Sequence, residues 1–384
     1  MHITRRQATH LLAATLLGPL AFGGAQAQQP EPILIGASMQ VSGPIAYVGE
    51  SVKQGLELQV DAINAAGGLL GRPVKILYRD HENVPDKAVT NVRGLIEQEK
   101  VVAMIGESSS GTALAAGPII GAAHLPWLIA AATNSTITTR PENVTALGVT
   151  PYDRLQAPAV VALAAKKYKK LALLTDTSGY GQGGRNDLLA ALKERGITPV
   201  ADETYNINSP SMTAQLARIR DSGADALLLW SVGPDAAQIR RNMRTMRFEI
   251  PTIGGWGLEN TSFLKLAGKY AEGTIIMSVN PLYRSNPEID KYRAAYDKKY
   301  GLQNIEYASA VALAYDAMGL LANGIRKAGS TDPQALMDAL KTVEYDGVVK
   351  QYRSPWANAN RQALTMDDLH FVVVRDGKFV PYTD

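Results

Sequence analysis

Short apolar runs and longer amphipathic stretches alternate along almost the whole chain. Residues 33–39 form the first run, and Val52, Leu56, Val60 and Ile63 follow at helical spacing until Gly67-Gly68 ends the series. Residues 74–78, 101–105 and 127–130 read as the next strands. Strands alternating with helices over this length predict an α/β architecture, a parallel sheet covered on both faces. Thr150-Pro151-Tyr152-Asp153 breaks the rhythm, and a helix over 154–167 restarts it. A second set of strands is predicted at 171–175, 198–205, 226–231, 252–253 and 274–278, with helices around 183–194, 211–221, 235–246 and 260–268. Residues 287–343 are mostly helical, and 371–374 and 379–382 flank Asp376-Gly377 as a closing hairpin. That tail has too few strands for a third domain and is expected to return to complete both lobes of a doubly wound pair.

The first 27 residues have the build of an export signal: Arg5 and Arg6, an apolar stretch at 11–22 too short to span a bilayer, and Ala25-Gln26-Ala27 as cleavage site. Thr4-Arg5-Arg6-Gln7 meets the minimum of a twin-arginine signal. Ala8 stands where such signals carry a large apolar residue, so unfolded export to the periplasm is preferred. The remainder is long enough for two lobes of ordinary size. It has no cysteine, so both lobes must rest on their cores. A net charge of +3, lower still once Arg5 and Arg6 are removed, gives no electrostatic case for nucleic acid or an anionic membrane. With 46% hydrophobic residues and no further apolar run expected to span a bilayer, the mature chain reads as soluble and globular.

The densest chemistry lies where the apolar run at 101–105 enters Gly106-Glu107-Ser108-Ser109-Ser110-Gly111 and then a helix-like stretch. Three hydroxyls and several free amides at a helix N-terminus make a cradle for a carboxylate or phosphate. Three chemistries compete for this chain. Gly179-Tyr180-Gly181-Gln182-Gly183-Gly184 spells G-x-G-x-x-G, with Asp202 beyond it. Asp176, Thr177 and Ser178 separate its first glycine from the strand, and a tyrosine occupies the path of the cofactor, so a flexible loop with Tyr180 at its tip is preferred. A serine hydrolase is disfavoured because Gly106-Glu107-Ser108-Ser109-Ser110 is not G-x-S-x-G. His81 on a polar loop, His124 at a helix end and His370 opening a strand read as structural or solvated, and no His pair has metal spacing. Reversible capture of a small anion between two lobes needs only donors and a wall. Tyr47, Tyr152, Tyr180, Trp230 and Trp256 stand in positions suited to the wall, and the glycines around Tyr180 and Trp256 predict exposed loops.

Several segments resemble the periplasmic leucine/isoleucine/valine-binding proteins of ATP-driven importers. They are Ile33-Leu34-Ile35-Gly36 through Ser42-Gly43-Pro44, Gln54-Gly55-Leu56 through Gly67-Gly68 with Gly71-Arg72, and Tyr78-Arg79-Asp80. Ile105-Gly106 through Ser110, Ala131-Ala132-Thr133, Gly179-Tyr180-Gly181 and Tyr307-Ala308 continue the likeness across the mature chain in the same order. The resemblance implies a type I periplasmic binding fold, two doubly wound lobes joined by three crossovers, which closes by hinge motion and presents the closed form to a membrane permease. It assigns 31–151 plus 281–369 to one lobe and 152–280 plus 370–384 to the other, in a monomer without cofactor, metal or turnover. Position by position, it makes Ser110 the carboxylate-binding hydroxyl and Ser108 and Ala131 backbone contacts, with Ser109 in the same turn. It makes Thr133 the hydroxyl meeting ammonium or carboxylate, Tyr180 the lid aromatic, and Asp153 the acid at the interlobe edge, with Tyr47 near the guest. Amino-acid binders of this family carry an acid in the glycine-flanked loop of the second lobe, and Trp256 stands there instead. An indole cannot pair an ammonium, so an aromatic or other apolar monocarboxylate is the expected guest. Branched-chain amino acids are the alternative if Glu259 moves into the role or Trp256 makes a cation–π contact.

Overall fold

The structure, a computed structural model, describes residues 30–357, 359 and 361–383; the proposed export signal at 1–27 lies outside them. The first strands are β1 (Ile33–Met39), β2 (Val74–Asp80), β3 (Ala103–Ile105), β4 (Trp127–Ile129) and β5 (Ala146–Gly148). They form an all-parallel sheet in the order β2-β1-β3-β4-β5. Helices α1 (Ala46–Ala65), α2 (Pro85–Glu97) and α3 (Ser110–Ala122) connect them. The chain then builds a second unit from α4 (Asp153–Lys167), β6 (Leu171–Asp176), α5 (Gly179–Glu194), β7 (Ala201–Tyr205), α6 (Thr213–Asp221), β8 (Ala226–Trp230), α7 (Gly233–Thr245), β9 (Thr252–Gly254), α8 (Thr261–Ala267) and β10 (Ile275–Ser278). Helices α9 (Pro287–Tyr300), α10 (Ala308–Ala328) and α11 (Pro333–Lys341) and the small hairpin β11 (Glu344–Asp346) and β12 (Gln351–Arg353) follow. Last come β13 (His370–Arg375) and β14 (Lys378–Pro381).

The second sheet runs β14-β13-β10-β9-β8-β6-β7, parallel from β10 to β7 and antiparallel at β13 and β14. Every residue of β6 and β8 is buried, which is why these strands read as unbroken apolar runs rather than as alternating ones. After β10 the chain returns to the first lobe, where α10 packs along α1. Gly55 allows that approach, since a Cβ there would lie 2.1 Å from the Val311 carbonyl oxygen. Residues 361–363 then pair with Gly148 at the edge of the first sheet before the chain crosses again to β13. The polypeptide thus passes between the sheets three times.

Three differences from the sequence reading have local causes. The glycine-rich segment at 179–184 is the first turn and a half of α5 and not a loop, because Ser178 caps the helix by accepting the Tyr180 and Gly181 amides. The three-residue strands β5, β11 and β12 are too short for any alternation to show. Helix α10, with 21 residues, is long and apolar enough to cross a membrane by length and composition, contrary to the expected absence of such a run. Its most apolar window is 83% buried within the protein, as a core helix would be.

Candidate functional site

A cavity of about 420 Å³ lies where the carboxyl ends of the two sheets' strands face each other. The segments after β1, β2, β3 and β4, with Glu82 among them, supply one wall, and those after β6, β7, β8 and β9 supply the other. Tyr47 on α1 and Tyr307, just before α10, close one side. The lobes meet around it. Asn134 Nδ2 donates to the Gly179 carbonyl at 2.6 Å, Ser135 Oγ donates to Asp187 at 2.6 Å, and the Gly233 amide donates to Tyr47 Oη at 3.3 Å.

The serine turn is built to donate. Ser108 Oγ accepts the Gln40 amide at 2.9 Å, and Ser110 Oγ accepts the Thr133 and Asn134 amides at 3.3 and 3.2 Å. Two backbone amides occupy both lone pairs of the Ser110 hydroxyl and one amide occupies a lone pair of the Ser108 hydroxyl, so their protons point elsewhere. Ser109 caps α3, accepting the Thr112 amide. The amides of Ser110 and Gly111 open the helix, where no intrahelical acceptor exists. Thr133 Oγ1 is buried without a hydrogen-bond partner. Among the described residues no lysine, arginine or histidine lines the cavity, so an anion held by these residues would be met by dipoles.

The opposite wall is aromatic. The Trp256 and Tyr307 ring centroids lie 4.7 Å apart, and those of Tyr47 and Tyr307 6.1 Å. Their polar ends are already engaged: Tyr307 Oη donates to the Trp256 carbonyl at 2.8 Å, and Tyr180 Oη accepts the Gly257 amide at 3.3 Å. Trp256 Nε1 donates to Ser309 Oγ at 2.7 Å, and Ser309 in turn donates to Glu259 at 2.9 Å. Trp256 and Tyr307 therefore offer the guest apolar surface, while Tyr180 Oη, an acceptor in its bond to Gly257, still has a proton to donate.

Of the residues proposed from sequence, Tyr47, Ser108, Ser109, Ser110, Ala131, Thr133, Tyr180 and Trp256 all line this one cavity. Asp153 does not. Fully buried, it sits beneath α5, where a Cβ on Gly183 would come within 3.1 Å of its Oδ2, and burial pushes its carboxyl well up. Trp256 is 3% exposed in the 3₁₀ turn Trp256–Leu258, so its flanking glycines mark tight packing and not the expected exposed loop. Tyr152 and Trp230 are fully buried in the cores and are not among the lining residues. Glu259 accepts from Ser278 at 2.7 Å and from Ser309, and does not line the cavity. Burial pushes its carboxyl to about 7, and the Ser278 and Ser309 hydroxyls work against that rise. His81 is buried, not solvated, and bonds Asn83 and Thr112 rather than any serine of the turn.

Sequence reasoning missed Gln40, Tyr307, Asp176 and Asp235 as lining residues. Asp176, the last residue of β6, accepts the amide and hydroxyl of Ser178, and burial raises its carboxyl. Asp235, in the first turn of α7, accepts the Asn208 amide at 3.3 Å, and burial pushes it to about 6. Asp176 closes β6 and Asp235 lies just beyond β8, the strand ends from which α/β folds present ligand contacts, and strand ends are the one weak signal that points to them.

A two-lobed α/β protein with a donor-lined cleft between its sheets has the build of a solute binder. The family model for periplasmic binding proteins matches residues 32–378, and the chain belongs to that family, in its type I, Leu/Ile/Val-binding branch. It is 28% identical over 334 residues to the Leu/Ile/Val-binding protein BraC3 of Rhizobium johnstonii, covering 86% of this chain and 88% of that one. The branched-chain amino acid substrate-binding protein LivJ of Streptococcus pneumoniae, solved with isoleucine, is 26% identical with a TM-score of 0.80, covering 91% of this chain and 98% of that one. A solute-binding protein of R. palustris solved with benzoate has the same fold, with a TM-score of 0.81 at 21% identity, covering 91% of this chain and 95% of that one. Family members are periplasmic solute-binding proteins of ABC transporters, and this chain is one of them.

Proposed function

We propose that the protein captures a small apolar monocarboxylate, aromatic or related, and delivers it to its permease. The carboxylate sits at the Ser108–Ser110 turn and Thr133, and the apolar body lies against Trp256, Tyr180, Tyr47 and Tyr307. The observation that carries this reading is the pair of serine hydroxyls already accepting backbone amides, two on Ser110 and one on Ser108, in a cavity with no cationic side chain among its described lining residues. Such hydroxyls favour a guest that accepts hydrogen bonds. The acid that would hold an α-ammonium from the Gly254-Gly255-Trp256-Gly257 segment is replaced by an indole whose N–H is already used.

Asp176 and Asp235 favour a second reading, an apolar α-amino acid whose ammonium one of them would meet. A thermal-shift panel separates the two, since a guest that binds only the folded protein raises its melting temperature. Benzoate, phenylacetate and 4-methyl-2-oxopentanoate are expected to stabilise the protein more than leucine, isoleucine and phenylalanine do. Stabilisation by leucine with none by the three acids overturns the monocarboxylate reading in favour of the amino acid.

A further inference from the structure

Directly behind the serine turn lies a buried polar cluster that neither lobe's core nor the guest accounts for. Glu107 precedes Ser108, is 1% exposed, and its carboxyl faces no cation, only the Ser38 and Thr112 hydroxyls and one imidazole among the described residues. Its nearest titratable neighbour is His81, whose Nε2 lies 3.3 Å from Glu107 Oε2. His81 cannot serve as a cation there. Its Nδ1 accepts the Asn83 amide at 3.0 Å, which fixes the neutral tautomer with the proton on Nε2, and that proton is shared with Thr112 Oγ1 at 3.4 Å. Burial holds this imidazole down at about 4. The same burial pushes Glu107 up to about 7, with the Ser38 and Thr112 hydroxyls working against it.

The other charges nearby point away from this carboxyl or lie across the cavity. Asp80, next to His81, turns outward to the Val41 and Glu82 amides, and Glu82 pairs with Lys87 at 2.6 Å. Ser38 of β1 and Thr112 of α3 contribute hydroxyls only. On the far wall stand Asp176 and Asp235, both acids. Glu107 and a carboxylate on the serine turn would therefore depend on one helix N-terminus, with no cation between them. Two like charges in such a site cannot both ionise freely.

We propose that capture of an anionic guest is coupled to protonation of Glu107: the protein takes up a proton as it binds, and holds the guest more tightly at pH 6 than at pH 8. This rests on the carboxylate reading above. The proton comes from solvent and stays on the Glu107 carboxyl, so the turn presents donors to the guest without an opposing charge behind them. Each unit by which the guest raises the Glu107 pKa is a tenfold difference in affinity between its protonated and ionised forms.

Isothermal titration of wild-type protein with benzoate at pH 7, in phosphate and in Tris, is the direct test. The two buffers release protons with different heats, so uptake of between zero and one proton per guest appears as a difference in apparent enthalpy. Equal enthalpies overturn the inference. Affinity should rise about tenfold from pH 8 to pH 6, and Glu107→Gln, which mimics the protonated acid, should bind at pH 8 as wild type does at pH 6. A pH slope that persists in Glu107→Gln and disappears in Asp235→Asn assigns the proton to the wrong wall and overturns the proposal. Should benzoate, phenylacetate and leucine all fail to raise the melting temperature, the carboxylate reading falls and this inference with it. Binding that weakens in Ser110→Ala but shows no proton uptake removes this inference alone.

Discussion

Gly179→Ala tests whether the contact between the lobes is the binding-competent one. A Cβ built on Gly179 lies 2.9 Å from both Cα and N of Gly111, across the cleft. Both are backbone atoms of the helix that carries the serine turn, so no side chain can swing away. Within its own lobe, Gly179 is the first residue of α5 and does not use the left-handed region, so alanine fits the helix there. A glycine-to-alanine change at a compatible site stabilises by about 0.4–1 kcal/mol through the unfolded chain. The clash falls only on the form in which the lobes meet, and overpacking of this kind costs about 1–3 kcal/mol. Guest affinity should therefore drop roughly five- to 150-fold while the melting temperature of the guest-free protein stays level or rises slightly. Calorimetric titration and a guest-free thermal scan read the two quantities separately. Unchanged affinity would refute the idea that α3 and α5 must approach this closely, and a lowered guest-free melting temperature would show that the lobes are already shut without a guest.

Ser110→Ala removes a hydroxyl that accepts two backbone amides and that, in the proposed complex, would donate to the guest. Affinity for benzoate should weaken by about 1–3 kcal/mol, the loss expected when a charged oxygen is left short of a donor, and an unaltered dissociation constant takes Ser110 out of the site. Stability should also depend on pH. Burial pushes Glu259 and Asp316 to about 7, so the folded protein holds protons that the unfolded chain, with carboxyls at about 4, releases. That contribution is fully present only below about 4, where the unfolded carboxyls are protonated too, and is lost as pH rises through 7, so the melting temperature at pH 6.5 should exceed that at pH 8.5, with Glu259→Gln reducing the difference. His81 and His370, held down at about 4 by burial, act in the opposite sense and only below about 6.5, where the unfolded imidazole protonates.

Much of the architecture was legible because parallel strands buried on both faces leave continuous apolar runs, as in Leu171-Ala172-Leu173-Leu174. The serine turn was legible for a related reason, since a hydroxyl cluster between a strand and a helix has few uses other than capping and donation. Glycine was the misleading signal. Around Tyr180 and Trp256 it suggested flexible loops, yet Gly184 gives way to the Trp230 ring, 2.1 Å from where a Cβ would sit, and Gly255 is packed on the same indole. Close approach and mobility place the same residue in a sequence, and only the partner distinguishes them. Asp176 and Asp235 were passed over because a single acid after a strand has no spacing to mark it, and their shared cavity arises from two separate crossovers of the second sheet.

The pairing of β10 with β13 has a consequence for how the polypeptide is made. Ser278 meets His370 and Ile275 meets Val373, partners separated by more than ninety positions and by an excursion through the other lobe. The second sheet cannot gain its edge until the final hairpin has left the ribosome, so nearly all of the chain exists before either half can settle. Completion of that sheet is thus the last step of assembly, and its edge is fixed by partners far apart in the chain.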